Sequence, residues 1–354
     1  MPSLLDIASQ FTDSAQIAGI NPLGEGLIND TYLVTTFTGG WVLQRINPVV
    51  FPDPKLVIRN MAVLNRHIAE TGQNTLKLQI PGIIQTQSGE DCVSDQQGHT
   101  WRAITYIPNT ISLETVESPG QARQTGFALG HFHRLLNKLN PTDLYDTLPG
   151  FHIAPEYLSR YRQVLSQTNT LHGSADSRFC LDFIDQYEEL TRVLENAKHQ
   201  GLLKLRAIHG DPKFNNFLFD KDTREITSLI DLDTVKPGLL HYDIGDCVRS
   251  LCQSPAGQFN LEICEALLTG YLEETSSFLT EDDYAYLYRA IQLIPFELGL
   301  RFFTDFLEGN RYFKVTTPHQ NRSRAIAQFQ LCESISKQEA EIKSLIERLY
   351  NRAM

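Results

Sequence analysis

The chain lacks several features that would assign it a function quickly. It has no paired cysteines: Cys92, Cys180, Cys247, Cys252, Cys264 and Cys332 are scattered, with no C-x-x-C. Neither a zinc site nor a dense disulfide frame is therefore expected, and reduced, buried thiols are. It has no apolar run of about 18 residues, so no membrane span is expected. Its first residues, Met1–Asp13, carry neither a basic segment nor a continuous apolar one. No secretory leader is expected there, and the expected compartment is the cytoplasm. Basic residues are in deficit: 31 Lys and Arg against 42 Asp and Glu leave a net charge of −11. This argues against nucleic acid and anionic membrane as partners, because phosphate backbones are held by clustered Lys and Arg. It leaves room for a small local basic site. There is no G-x-S-x-G, so an α/β hydrolase has little support. No internal repeat or low-complexity tract stands out. What remains is an ordinary globular composition over 354 residues, 42% hydrophobic and 21% charged, enough for two or three lobes with a sizeable core.

The order of elements divides the chain. Leu4, Leu5, Ile7, Ala8 and Phe11 have helical spacing, with Ser3 as N-cap. A β-rich block follows, with strands at 15–23, 31–36 and 41–46 and glycine turns between them. The turn at Gly24-Glu25-Gly26, and Asn29 after it, could fold over phosphates through backbone N–H groups; a plain hairpin turn is the simpler reading. Arg45, late in the third strand, reads either as a phosphate contact or as a solvated strand-end charge. Residues 53–69 read as a helix with Leu56, Val63, Leu64 and His67 inward. It holds no acidic residue between Asp53 and Glu70, so the Lys–Glu pair of protein kinases is not evident. Short strands are expected at 76–80, 83–85, 92–94 and 101–106. After Ile107 the pattern turns helical, with helices at 119–136, 155–165, 177–200, 261–274, 281–306 and 323–352. The expected lobes are 1–107 and 108–354, and backbone groups at Tyr106 and Ile107 could meet an adenine edge. His131 and His133 are two apart on a helix and cannot form a metal pair.

Residues 208–249 hold the chemistry. Asp211 follows His209 by two, Asn216 follows Asp211 by five, and Asp231 closes the apolar run Ile226–Ile230. Phosphoryl transfer from a nucleotide needs such a set: one carboxylate near the acceptor hydroxyl, plus an amide oxygen and a second carboxylate for a metal. The kinase loop H-R-D-x-x-x-x-N has the same spacing. Phe217–Phe219, a turn at 220–223 and Ile226–Ile230 read as a hairpin that brings Asn216 and Asp231 to one mouth. Two oxygen ligands suit Mg²⁺, which rarely takes an all-protein cage. If the chain stays extended, Asp233 faces the same way as Asp231. His209 reads as scaffold, and Asp243, Asp246 and Arg249 as a local helix-start ion pair. Late in the chain, Glu297, Arg301 and Asp305 are each four apart and share a helix face. Spacing alone favours a solvated ion-pair ladder; a hydrogen-bonding wall for a hydroxylated substrate, with Tyr312 and Lys314, is the functional reading.

These residues resemble the aminoglycoside phosphotransferase and choline kinase superfamily. Its motifs are similar to His209-Gly210-Asp211, Asn216, Ile230-Asp231 and the helix segment Ala128–His133. Residues 28–32, 43–51, 230–246, 301–309 and 312–314 look like the N-acetylhexosamine 1-kinase branch, and the likeness spans roughly residues 20 to 340. The resemblance implies a protein-kinase-like α+β fold, a β-rich N-lobe with one main helix and a mostly helical C-lobe. It implies ATP and Mg²⁺ as cofactors, Asp211, Asn216 and Asp231 as catalytic residues, and Asn216 and Asp231 on the metal. It implies nucleotide contacts at Gly24, Gly26, Asn29, Arg45, Tyr106 and Ile107. It also raises the late cluster to a sugar site, with Asp211, Asp233, Glu297, Arg301 and Tyr312 against the substrate and the anomeric hydroxyl of an N-acetylhexosamine as acceptor. The rival expectations are a kinase for another alcohol (another sugar, choline, an aminoglycoside) and a catalytically silent kinase-like binding protein; a monomer and a homodimer are both open.

Overall fold

The computed structural model of the chain describes residues 3–24, 28–71, 78–168, 174–254 and 257–353. Helix α1 (Leu4–Ala8) opens with Ser3 and Asp6 in a reciprocal capping box, which satisfies two otherwise orphaned N–H groups. Strands β1 (Ile17–Pro22), β2 (Asp30–Thr36) and β3 (Gly39–Arg45) form an antiparallel meander. Helix α2 (Pro54–Glu70) begins at Asp53, whose carboxylate accepts from the Lys55 N–H. The short strands β4 (Ile83–Ile84) and β5 (Val93–Ser94) and the longer β6 (Thr100–Thr105) complete the sheet in the order β1-β2-β3-β6-β4, with β5 also on β6.

Alternation gives that sheet two faces. Trp41 and Leu43 on β3 and Trp101 and Ala103 on β6 pack with Ile7, Ala8 and Phe11 under α1. Their neighbours Gln44 and Arg102, paired across the strands, lie on the opposite face by the same period of two. On α2 the buried apolar positions are Val57, Ile58, Met61, Leu64 and Ile68. Of the expected inward residues Leu64 is buried, Val63 packs at the margin of the core and His67 reaches the Leu135 carbonyl at 3.2 Å, while Leu56 is half-buried; the centre of the stripe lies at Val57, Met61 and Leu64. Of the strand expected at 76–80, residues 72–77 lie outside the described part, and Gln79 makes only a lone bridge to Ser228.

The chain then enters the helical part. β7 (Thr110–Ser112) leads to α3 (Pro119–Leu136), α4 (Ala154–Gln167), α5 (Ala175–Tyr187) and α6 (Val193–His199). The single helix expected at 177–200 is broken by a tight turn at Glu188–Arg192, where Glu188 pairs with Arg162 of α4 at 2.7 Å. Next come β8 (Arg206–Ile208), the hairpin β9 (Phe217–Asp220) and β10 (Ile226–Leu229), and β11 (Lys236–Gly238). β7 joins the outer side of β9, and β11 pairs with β8. The remaining helices are α7 (Leu240–Leu251), α8 (Leu261–Thr275), α9 (Glu281–Leu307), α10 (Gln320–Lys337) and α11 (Glu339–Ala353). The helix expected at 323–352 is the last two, with the break at Gln338, whose amide reaches across to the Phe259 carbonyl at 3.2 Å.

One core runs through this part, from Phe132 on α3 through Tyr271 on α8 to Phe296, Phe303 and Phe329 on α9 and α10. α3 and α8 touch backbone to backbone. A Cβ on Gly126 would stand 1.9 Å from the Leu267 carbonyl oxygen, and one on Gly270 2.0 Å from that of Arg123. Larger residues at either position would force these helices apart. The close contact holds α3 directly behind the loop that leaves β8. No helix among the described residues is long and apolar enough to cross a membrane.

Candidate active site

The loop after β8 is gripped from behind. The buried Asp243 of α7 accepts from the backbone N–H of His209 at 2.7 Å and of Gly210 at 2.8 Å, and from His133 Nε2 on α3 at 2.8 Å. Burial works to raise its carboxyl pKa, but the donors, His133 first, hold it below the ordinary value. His133 and His131 have different partners, as their spacing requires: His131 Nδ1 meets Glu274 at 2.9 Å. His209 Nε2 donates to the Ile230 carbonyl at 2.9 Å, and burial lowers the pKa of its ring. His209 is the scaffold residue expected. Asp243 is not part of a helix-start ion pair: that pair is Asp246 with Arg249 at 2.7 Å. Gly210 has φ +89°, and a Cβ there would meet the Thr234 carbonyl oxygen at 2.5 Å, so glycine is required for both conformation and space.

This frame brings Asp211, Asn216 and Asp231 together. Asn216 donates its amide to the Asp211 carbonyl at 2.7 Å, which leaves the amide oxygen available. Its own carbonyl accepts from the Ile230 N–H at 2.9 Å, so the hairpin delivers Asp231 beside it. Asp231 is held in a left-handed conformation, φ +67°, uncommon for a residue with a side chain and a mark of local constraint. Its surface is open to solvent. The protein crowded around its carboxyl, and then the charge of Asp233, raise its pKa to about 6. Lys213, absent from the expected set, places Nζ 2.6 Å from Asp211 Oδ2. Burial disfavours its ammonium, but Asp211 and then Asp231 raise its pKa. Its position two residues after Asp211 was the available signal.

On the N-lobe side the condition set for Asp233 is not met, and Arg45 lies as a strand-end charge. The chain does not stay extended after Asp231; it turns through a short 3-10 segment, Leu232–Thr234. Asp233 is thereby turned inward, 2% exposed. Its oxygens hold Asn29 Nδ2 at 2.6 Å and the Arg102 guanidinium. Asp233 thus ties the hairpin to the sheet, and Asn29 is bound to it rather than left open, with Asn29 Oδ1 taking the Asn47 N–H at 3.0 Å. Arg45 shares the α1 face with Trp41 and Leu43; it pairs with Asp30 and stacks 5.8 Å over Trp101. The arginine on the hairpin side is Arg102, held by Gln44 at 2.7 Å. Gly24 has φ +68°, Gly26 lies outside the described residues, Tyr106 is half-buried, and Ile107 is buried with its carbonyl taken by Thr110.

The late cluster is not a solvated ladder. Glu297 is 1% exposed and bonds His152 Nδ1 at 3.0 Å. Asp305, 4% exposed, accepts the backbone N–H groups of Arg311, Tyr312 and Phe313 at 2.8, 2.8 and 3.0 Å and the Asn321 amide at 2.8 Å. It shapes the loop that carries Tyr312, which is 59% exposed. Between them Arg301 is enclosed by the rings of Phe151, Tyr157 and Phe313 at 5.1, 5.0 and 5.5 Å. Among the described residues it has no carboxylate at ion-pair distance. Burial opposes its charge, while Tyr157, Glu297, Tyr312 and Asp211, in that order, raise its pKa. The long-range aromatic partners left no local signal in the sequence.

The comparisons with known proteins agree on the fold. A family profile described as the phosphotransferase enzyme family (APH) matches residues 19–276. A homoserine kinase of Zymomonas mobilis is 25% identical over 295 residues, 80% of this chain and 79% of that protein. Among solved structures, an aminoglycoside phosphotransferase of Alicyclobacillus acidocaldarius superposes with a TM-score of 0.68 at 17% identity, over 99% of this chain and 98% of that one. A microcompartment-associated aminopropanol kinase gives 0.65 at 16% identity, over 92% and 93%. The profile covers well over half of the chain, and with it the kinase-like architecture stops being an expectation: the protein belongs to the APH phosphotransferase family and transfers a phosphoryl group to an alcohol.

Proposed function

We propose that the protein transfers the γ-phosphoryl group of ATP to the anomeric hydroxyl of an N-acetylhexosamine. Asp211 accepts the proton of the acceptor hydroxyl. An anomeric hydroxyl is more acidic than an ordinary alcohol, so a carboxylate base suffices, and positioning and charge stabilisation carry most of the rate. Lys213 lies beside Asp211 and within the field of Asp231, where its ammonium would meet charge developing on the transferring group. The nucleotide enters between sheet and helices, past the turn at Gly24 and the backbone of Tyr106 and Ile107.

The donor set fits Mg²⁺. Asn216 leaves its amide oxygen free and Asp231 its carboxylate, and after the desolvation that is the main cause of Asp231's raised pKa, the charge of Asp233 adds to it. Among the described residues no group of three or more His, Cys, Asp or Glu is arranged for a metal, which suits an ion that takes few protein ligands and keeps phosphate oxygens and water. Held by Asn216 and Asp231, Mg²⁺ would supply charge neutralisation for the phosphates.

The observation that carries the acceptor class is Arg301. A guanidinium enclosed by aromatic rings, with no carboxylate partner among the described residues, offers donors to hydroxyl and carbonyl oxygens. Tyr312 and Phe313 add apolar faces suited to a sugar ring. The same guanidinium weighs against a cationic acceptor such as choline or an aminoglycoside, which it would repel. A second reading comes from the homoserine kinase relative: Arg301 would equally hold the carboxylate of an amino-acid alcohol.

ADP release separates these readings. Mg-ATP is supplied with N-acetylglucosamine, N-acetylgalactosamine, glucose, galactose, homoserine, choline and an aminoglycoside in turn, and sugar products are assayed for a reducing end. Turnover of an N-acetylhexosamine with loss of its reducing end is expected. Turnover of homoserine alone would replace the acceptor, and turnover of choline or an aminoglycoside would overturn the role given to Arg301.

A further inference from the structure

Gly210, the residue before the proposed base, is gripped on both sides of its Cα. Its N–H is held by Asp243 Oδ1 at 2.8 Å, and its carbonyl, which belongs to the peptide leading into Asp211, lies 2.8 Å from His152 Nε2. His152 comes from the loop before α4, in a left-handed conformation with φ +66°, and is 3% exposed. Its other ring nitrogen lies 3.0 Å from Glu297 Oε1. With Glu297 ionised, carbonyl and carboxylate both only accept, and the ring satisfies both with a proton on each nitrogen. Its face stacks on Tyr242 at 5.2 Å with 12° between planes.

The same residue reaches the acceptor wall. The His152 N–H donates to Tyr157 Oη at 3.2 Å. Tyr157 and Phe151, the residue before His152, are two of the three rings around Arg301. Glu297 precedes Arg301 by one helical turn on α9, and its second oxygen, Oε2, is buried without a hydrogen-bond partner among the described residues. Two of the wall's rings thus meet His152 directly, by a hydrogen bond at Tyr157 and by chain adjacency at Phe151, and His152 ends on the peptide that leads into Asp211.

We infer that His152 and Glu297 are positioning residues that couple the acceptor wall to the catalytic loop: the buried imidazolium–carboxylate pair fixes the Gly210–Asp211 peptide and, through Tyr157 and Arg301, makes the aim of Asp211 depend on the acceptor pocket. Neither residue touches the reacting atoms. The inference rests on Asp211 as the base. The charged ring is consistent with its surroundings. It faces Glu297 from α9, Tyr242 and farther off Asp246 from α7, Tyr157 from α4 and the Gly210 carbonyl, with Arg301 beyond Glu297. Burial works against the proton, but Glu297 first and Asp246 after it raise the ring's pKa above the ordinary value. The protonated ring is the competent form. Glu297→Gln keeps a hydrogen-bond acceptor but removes the charge that opposes burial, so the midpoint falls; kcat should drop as pH rises and recover as pH is lowered.

The test compares wild type, His152→Gln, His152→Ala, Glu297→Gln and Asp211→Asn. The probes are Mg-ATP with N-acetylglucosamine and, if that acceptor is not turned over, the slow hydrolysis of Mg-ATP by water. Melting temperatures identify variants that fail to fold. The expected result is a kcat lowered by about 10–100-fold in His152→Ala, partly restored in His152→Gln, whose amide can still donate to Gly210, with KM for ATP unchanged. Acid rescue of Glu297→Gln is expected alongside. Folded His152 variants with kcat within twofold of wild type, while Asp211→Asn is inactive, would overturn the coupling and leave the base in place. Full activity in Asp211→Asn would instead overturn the base on which the coupling rests. A loss in Glu297→Gln that no pH restores would overturn the charged-ring account.

Discussion

The proposed catalytic loop and the proposed acceptor wall are built in opposite ways. Residues 208–231 form a strand, loop and hairpin whose key groups are neighbours in sequence, and the loop is held from behind by buried hydrogen bonds from Asp243 and His133. The wall on α9 is assembled from residues about 145 positions apart, such as Glu297 with His152, and its central cation, Arg301, is held by rings rather than by ions. Hydrogen-bonded geometry fixes a reacting group to tenths of an ångström. A stacked guanidinium keeps its donors free for whatever enters. The first region suits the proposed chemistry, and the second the proposed recognition of an acceptor.

Substitutions along the two regions sharpen that contrast. The largest effect is expected at Gly210: alanine there combines a left-handed backbone with a 2.5 Å contact to Thr234, strain of about 1–3 kcal/mol from each source. Gly210→Ala should lower kcat at least about 100-fold and lower the melting temperature, both read on the purified protein. Arg301→Ala removes a charged donor worth about 1.5–3 kcal/mol when bonded. Steady-state kinetics should show KM for the acceptor raised about 10–100-fold and KM for ATP unchanged. An equal loss in both constants would erase the proposed division between chemistry and recognition. Asp305→Ala releases four donors that shape the Tyr312 loop; a several-fold rise in acceptor KM and a modest fall in melting temperature are expected. Arg45→Ala, on the α1 face, should leave the KM for ATP within about twofold. A tenfold rise would restore Arg45 to the nucleotide.

The same contrast explains what the sequence made legible. His209, Asp211, Asn216 and Asp231 could be read because one local unit fixes their spacing, and the hairpin that joins them keeps its pairing through an irregularity between Ile226 and Ser228. Asp233 could not be placed by alternation, because the left-handed residue at Asp231 turns the chain where extension was assumed. Arg45 was legible in principle: it has the parity of Trp41 and Leu43, which face α1, whereas Gln44 and its cross-strand partner Arg102 face the hairpin. Glu297, Arg301 and Asp305 show the reverse case. Spacing gave the shared helix face correctly, but which partner each residue meets depends on loops at 148–157 and 310–313 that no local pattern announces.

The central claim is that Asp211 acts on the acceptor and not on the nucleotide. The most direct measurement is Mg-ATP binding and turnover by Asp211→Asn side by side. The account predicts a nucleotide dissociation constant near that of wild type with kcat lower by about 10²–10⁴. Turnover within about tenfold of wild type, or nucleotide binding lost together with turnover, would contradict it.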